Sequence, residues 1–464
     1  VTAHPPISSV PGPPPGCPAH GGTFPRRIHE ETDPARMYEE LRREHGPVAP
    51  VLLHGDIPVW LVLGYRENLE VMRTPSKYSR DSRLWSAFQQ NLIPPDSPLM
   101  PAVGWQPLCV FTDGEPHARL RGAILDGLGQ FNRRGMRRYV THYTRELVSS
   151  FGPGTADLVR DYAEPLPMLV VSRLLGIAPS DSPSLVEPTL DLMRGGPTAA
   201  ESNDQVTRVL RNLVAEKREH PGSDLASRLI AHEAELTETE IVEHLRLTLV
   251  AAHQNTSNLL IHTLHLVLTD NRFRGGLSGG RMTMPDALEQ VLWDKPSMSV
   301  VPGRWATGDT TLGGKHIKAG DMLLLGIAAA NRDPDQRPDL STPMHGNRSH
   351  LSFGAGPHEC PGGDIGRAIA DTGIEELLTL LPDLSLSVPE SELGINASWV
   401  STRTATLPVE FTPPSARRSD SAAPSAHGAP LPPAAVPPAP VPASASASAS
   451  ATRSRRSWWS SVLR

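Results

Sequence analysis

The run F-G-A-G-P-H-E-C-P-G, Phe353 to Gly362, sets one cysteine on a glycine-rich loop directly ahead of a helical pattern. Gly354 and Gly356 flank Ala355, and Gly362 and Gly363 follow the cysteine after a single proline, so the backbone can turn sharply and approach a flat ligand closely. Cys360 then stands just before a helix N-terminus, where the dipole and free N–H groups favour thiolate over thiol. A soft thiolate on an open glycine loop suits an iron centre. A free cysteine packed beside a turn is the commoner fate of an isolated Cys. Here Phe, three Gly, His and Cys occur together in one signature, and chance agreement is remote.

This loop resembles the cysteine signature of the cytochrome P450 family, the haem-thiolate monooxygenases, at Phe353, Gly354, Gly356, His358, Cys360 and Gly362. The resemblance implies haem b as cofactor, Cys360 as the axial iron ligand, Phe353 packed against it, and His358 near a haem propionate. Further family strings run in order through about residues 30–412. D-G-E-P-H-A-R-L-R-G is similar to the family's propionate-binding helix and carries His117 and Arg121. Their four-residue spacing sets both on one helix face, where two cationic donors can meet carboxylates, although such a pair standing alone is more often a surface pair. R-W-A-T-G-D-T-T-L-G-G-K-H-I-K-A-G-D resembles the strand region in which Arg304 would contact a propionate. His350, three residues before Phe353, stands where the family often has another propionate partner.

Two departures bear on function. Family members usually carry A-G-x-[DE]-T on the long helix, an acid and an alcohol beside the iron. Ala251 to Asn255 reads A-A-H-Q-N, with Thr256 next, so Gln254 replaces the acid and Asn255 the alcohol. A carboxylate relays protons because its pKa permits exchange, whereas an amide orients water without titrating. Three outcomes stay open: a relay through Thr256 or His253 with ordered water, use of peroxide or a substrate hydroxyl, or weak oxygen activation. Ala251, Ala252, Gln254, Asn255 and Thr256 are expected to line the oxygen side of the pocket.

The second departure is in the E-x-x-R signature. A-L-E-Q-V-L-W-D-K-P aligns with the family's E-E-x-L-R-x-x-P, which puts Gln290 and Trp293 at the Glu and Arg positions. The loop before the cysteine has no P-D-R-F string, and its Arg position falls near Thr342. Glu289, read as a register-shifted acid, has Leu292 at i+3, so no Arg completes that pair. All three members of a buried ionic cluster are therefore expected to be absent. Breaking one side of a buried pair costs ~3–5 kcal/mol, whereas replacing the whole set with packed groups can be neutral. Coordinated replacement points to an alternative core rather than a decaying gene. Glu289 to Trp293, E-Q-V-L-W, resembles an actinobacterial subgroup of the family that carries E-Q-x-L-W.

The elements that must position these residues are mostly helical. Helical patterns cover D-P-A-R-M-Y-E-E-L-R-R-E-H-G, Ala118–Leu128, Met136–Ser150, Tyr162–Leu175 and Gln205–Glu219. The longest, Glu238–Thr269, repeats Ile241, Leu245, Leu249, Leu259 and Leu266 at helical spacing and starts after T-E-T-E. A hairpin is expected from Val51–Leu53 and Val59–Val62, and short strands from Val300 to Leu325. The total is mainly α with a minor β region, against a doubly wound sheet. The resemblance adds the cytochrome P450 fold, one large domain with a long central helix over the haem.

The 464 residues include 48 prolines, 17 of them within residues 1–18 and 413–442. Residues 1–22 are therefore expected to be a disordered lead, 23–412 the haem domain, and 413–464 a disordered Pro/Ala/Ser-rich tail with a basic, Trp-containing end. The net charge of −6 becomes −11 over residues 1–412, a poor balance for binding nucleic acid. Three cysteines exclude a disulfide scaffold, and no apolar run reaches the ~20 residues that span a bilayer, so a cytoplasmic location is the default.

These features lead to a haem-thiolate monooxygenase that inserts one oxygen atom into an apolar small molecule, with electrons from a ferredoxin and its reductase. The alternatives are a peroxide-driven or rearranging haem enzyme, or a non-catalytic haem or ligand sensor. Specificity is expected in Ser82–Val103 and Leu185–Asn203, whose composition names no molecule.

Overall fold

The helix Glu238–Thr269 begins at a capping box, in which the Thr237 hydroxyl accepts from Glu240 N–H and the Glu240 carboxylate accepts from Thr237 N–H. Its 32 residues span ~48 Å and cross the molecule. Asp270 ends it and caps the following helix, Asn271–Ser278. This computed structural model describes residues 25–95, 97–194, 198–340 and 346–413. The expected lead, nearly all of the expected tail, and Thr342 lie outside the described residues. The chain divides into two compact units, Val1–Arg417 and Arg418–Arg464, and none of the second is described.

The long helix packs against Pro165–Leu175 and Gly363–Leu380. Leu245, Leu249, Leu260 and Leu264 are fully buried there with Leu166, Val170 and Ile374. The expected helix Tyr162–Leu175 divides at Glu164 into a π turn, Val159–Ala163, and the α-helix from Pro165. Proline is tolerated there because the first helical position has no intrahelical use for an N–H.

A six-stranded sheet runs Arg26–Arg27, Val48–Leu53, Ile57–Val62, Met322–Leu325, Val301–Ala306 and Tyr78–Ser79. Its hairpin pairs Val51 with Val59, and Met322–Leu325 lies parallel to Ile57–Val62. All four residues of Met322–Leu325 are buried, which explains a continuous apolar run in place of alternation. The register between Val301–Ala306 and Met322–Leu325 shifts between Val301 and Arg304. Gly303 sits in that irregularity at φ +92, a conformation that favours glycine, and Arg304 follows it at 5% exposure. Mainly α with a minor β region is thus the observed architecture.

Candidate active site

The cysteine loop is built by its own backbone. Cys360 N–H donates to Phe353 O at 2.8 Å, closing the run into a ring. Gly354 and Gly356 take φ +71 and +72, and a Cβ on Gly356 would lie 2.7 Å from Met72 O. Gly362 caps the helix Gly363–Leu380, which therefore starts three residues after the cysteine. Cys360 is exposed as a residue. Burial nevertheless pushes its thiol above the ordinary range, against a hydrogen bond from Gly362 and the charges of Arg121 and Arg367. The helix N-terminus expected to favour thiolate is outweighed within the protein alone. A bound cation is what would tip that balance.

A cluster of basic side chains faces one carboxylate beside this loop. His117 lies on the helix Gly114–Gly129 with its ring centroid 4.1 Å from that of His358. Arg121, one turn on, donates to Glu359 O. His358 Nε2 lies 3.0 Å from Asp113 Oδ1, and Asp113 also accepts from Ser79 Oγ at 2.6 Å and Arg80 N at 2.8 Å. Burial raises the Asp113 pKa, but these hydrogen bonds prevail and hold it at about 2. Burial drives the bases the other way: His358 falls to about 4, Arg80 to about 10, and Arg304 well below its usual value. His117 is lowered by burial and by Arg121.

Arg80, Arg304, His117 and His358 therefore interact with the one carboxylate of Asp113, and Arg121 stands beside His117. The buried His117 Nε2 and Arg121 Nε have no hydrogen-bond partner. Unsatisfied donors with an excess of positive charge fit the two carboxylates of a haem, and the open glycine loop fits its flat face. Asp113 and Arg80 had been given no role from the sequence. Asp113 opens the D-G-E-P-H-A-R string, which was the one available signal; nothing marks Arg80.

On the long helix, Ala251 is exposed, and Gln254 and Asn255 are half-buried. Asn255 Nδ2 donates to Ala251 O at 2.9 Å, so this amide is bound to the helix backbone. Thr256 and His253, the residues through which a relay is left open, are both buried. Thr256 is 5% exposed, with its hydroxyl 3.5 Å from where a Gly366 Cβ would stand, packed toward the cysteine helix. His253 is fully buried, and its Nε2 lies 2.8 Å from Glu164 O. His253 Nδ1 is buried without a hydrogen-bond partner.

The chain is 30% identical over 390 residues to a 2-hydroxy-5-methyl-1-naphthoate 7-hydroxylase of Streptomyces carzinostaticus, covering 80% of this chain and 93% of that one. It is 30% identical over 392 residues to cytochrome P450-SU2 of Streptomyces griseolus, covering 82% and 94%. The chain belongs to the cytochrome P450 family. Among solved structures, CYP154C4 from Streptomyces sp. W2061 matches with a TM-score of 0.75 at 26% identity, over 83% of this chain and 98% of the other. No protein-family model matches the chain. This cytochrome P450 is a haem-thiolate monooxygenase with haem b as its cofactor. No described helix is long and apolar enough to cross a membrane.

Two expectations for this cytochrome P450 need correction. The buried ionic cluster is present with different members. Glu289 is 2% exposed and accepts Arg367 Nε at 2.6 Å, Arg367 Nη2 at 3.2 Å and His350 Nε2 at 2.8 Å. The missing Arg at i+3 is supplied by residue 367 on the cysteine helix, which sequence spacing cannot show. Burial raises the Glu289 pKa, but the bonds from His350 and Arg367 prevail and lower it. Trp293, at the usual Arg position, is 2% exposed, with its ring centroid 6.0 Å from that of His350.

His350 is therefore not among the propionate cations. Its Nε2 is taken by Glu289, and its Nδ1 accepts Ser352 N–H at 3.2 Å. With both nitrogens bonded and the residue 5% exposed, the ring holds the loop rather than a cofactor. Phe353 lies beneath the Arg367 guanidinium, 4.3 Å from ring centroid to Cζ.

Proposed function

We propose that Cys360 is the axial ligand of the haem iron and that His117, Arg121, Arg304 and His358 hold the propionates, with Arg80 and Asp113 behind them. Phe353, Gly354 and Gly362 shape the loop against the haem face. The observation that carries this reading is the cluster of basic side chains, with His117 Nε2 and Arg121 Nε unpartnered, beside a cysteine on a backbone-closed glycine loop.

When bound, the haem supplies oxygen activation and the redox chemistry of the iron. The chain's own residues do the positioning. Arg304, at 5% exposure, offers its charge in a dry setting where it binds a carboxylate strongly. Asp113 accepts from His358 Nε2–H and fixes the orientation of that ring. Ala251 leaves room beside the helix, and Asn255 presents an amide that orients a water or hydroxyl but yields no proton. Gln254 has the same limit.

The substrate in this reading is an apolar small molecule that receives one oxygen atom from O2, with electrons from a ferredoxin and ferredoxin reductase in the cytoplasm. Relatives support the substrate class: one is named for hydroxylating a naphthoate, and another, from Pseudonocardia autotrophica, is a vitamin D(3) 25-hydroxylase at 29% identity. The two amides at 254 and 255 favour a second reading, in which peroxide or a substrate hydroxyl supplies what the acid–alcohol pair would otherwise deliver.

The expected result for the ligation is a reduced carbon monoxide band at about 450 nm that Cys360→Ala abolishes. A haem spectrum lacking that band would overturn it. Turnover with ferredoxin, reductase and O2 supports the first reading of the oxidant, and turnover with peroxide alone supports the second.

A further inference from the structure

The cluster around Glu289 reaches Cys360 by two separate routes. His350 is held at Nε2 by Glu289, and its Nδ1 accepts the N–H of Ser352, the residue before Phe353. Phe353 O in turn accepts Cys360 N–H at 2.8 Å. Arg367, forked on the same carboxylate, covers the Phe353 ring at 4.3 Å. A Cβ on Gly363 would stand 3.3 Å from that ring, so Phe353 is confined by the cysteine helix as well. One buried carboxylate thus grips both the root of the loop and the aromatic residue whose carbonyl holds the cysteine.

A second set of bonds fixes the same root without Glu289. Ser352 Oγ donates to Leu292 O at 2.5 Å, and Asn331 Nδ2 donates to Leu292 O at 3.0 Å. Asn331 Oδ1 accepts Leu351 N–H at 2.8 Å. These clips keep the loop on the helix Met284–Asp294, whereas Glu289 controls the orientation of His350 and Arg367. Arg367 has Asp364 as another anion at 3.8 Å, but that side chain is 86% exposed and would draw Arg367 outward, off Phe353, once Glu289 lost its charge.

We infer that Glu289, through His350 and Arg367, is a positioning residue for Cys360, setting the placement of its sulfur on the loop. The inference rests on Cys360 being the iron ligand, as proposed above. Outer partners of a metal ligand orient it, and their loss degrades ligation without removing the ligand itself. Glu289 is joined to helix Met284–Asp294, to the loop root and to the cysteine helix, so it also couples the three elements that bear on the site.

The test uses the full haem-loaded chain and compares the wild type with Glu289→Gln, Glu289→Asp and Arg367→Lys. The readout is the share of the reduced carbon monoxide complex absorbing at about 450 nm rather than about 420 nm, measured where circular dichroism shows each variant folded. Glu289→Gln is expected to lower the 450 nm share at least about twofold at unchanged secondary structure, with Glu289→Asp restoring part of it. Arg367→Lys, which keeps the charge and loses the fork, is expected to lower it less. A folded Glu289→Gln with the wild-type share overturns the inference and leaves the ligation reading intact. Should Glu289→Gln not fold, Arg367→Lys decides, and a wild-type share there overturns the inference. A wild type without the 450 nm band overturns the ligation reading and this inference together.

Discussion

Asp113 and His358 lie 245 residues apart in the chain and 3.0 Å apart in the fold, carboxylate oxygen to ring nitrogen. With Asp113 held at about 2 it is ionised at neutral pH, so His358 Nε2–H donates to it. The Asp113→Asn variant breaks this orientation while keeping the size. Haem affinity is expected to fall about tenfold, the lower end for outer partners of a cofactor site. Haem transfer to a competing apoprotein measures it, and an unchanged transfer rate would show that His358 needs no such support.

His262, on the long helix, has its pKa lowered to about 3, first by burial and then by Lys295 and His265. The unfolded chain binds this proton from an ordinary pKa of about 6.5, while the folded state refuses it until about 3. Stability is therefore expected to fall as pH drops through that window, with the loss complete below it. Urea midpoints for the wild type and His262→Gln should converge between pH 7 and pH 4, roughly the range where the unfolded His charges. A constant gap between the two curves would refute the assignment.

Gly354 and Gly356 share a positive φ but not their surroundings. A Cβ at 354 meets nothing nearer than 3.8 Å, whereas at 356 it falls 2.7 Å from Met72 O. Gly354→Ala is expected to cost about 1 kcal/mol, the backbone strain alone. Gly356→Ala adds a clash with backbone and should cost about 3 kcal/mol. Thermal unfolding of the two variants checks the order.

Gln254→Glu with Asn255→Thr restores an acid and an alcohol on the long helix. If O2 is the oxidant, product formed per electron pair consumed should rise in the double variant, since a carboxylate at 254 can exchange protons that an amide cannot. Peroxide-supported turnover should stay at its wild-type rate. Equal coupling in both proteins would mean that proton delivery at these positions is not limiting.

The sequence alone was enough for whatever rests on local chemistry. The long helix was legible to its ends, Glu238 and Thr269, because a capping box starts it and its apolar residues recur at helical spacing. Val51–Leu53 and Val59–Val62 lie within the observed hairpin strands, and the cysteine loop was marked by the glycines its backbone requires. The ionic cluster escaped because Glu289 finds its partners at 350 and 367, on other elements, and only the packing of three segments brings them within 3 Å. His350 was given a site role from its position in a string, yet its bonds to Glu289 and Ser352 decide where its side chain goes. Asp113 and Arg80 became visible only when the strand Tyr78–Ser79 and the helix Gly114–Gly129 met at the loop. Spacing along a chain determines which residues share a helix face or a turn; which charges face each other across elements is determined by how those elements pack.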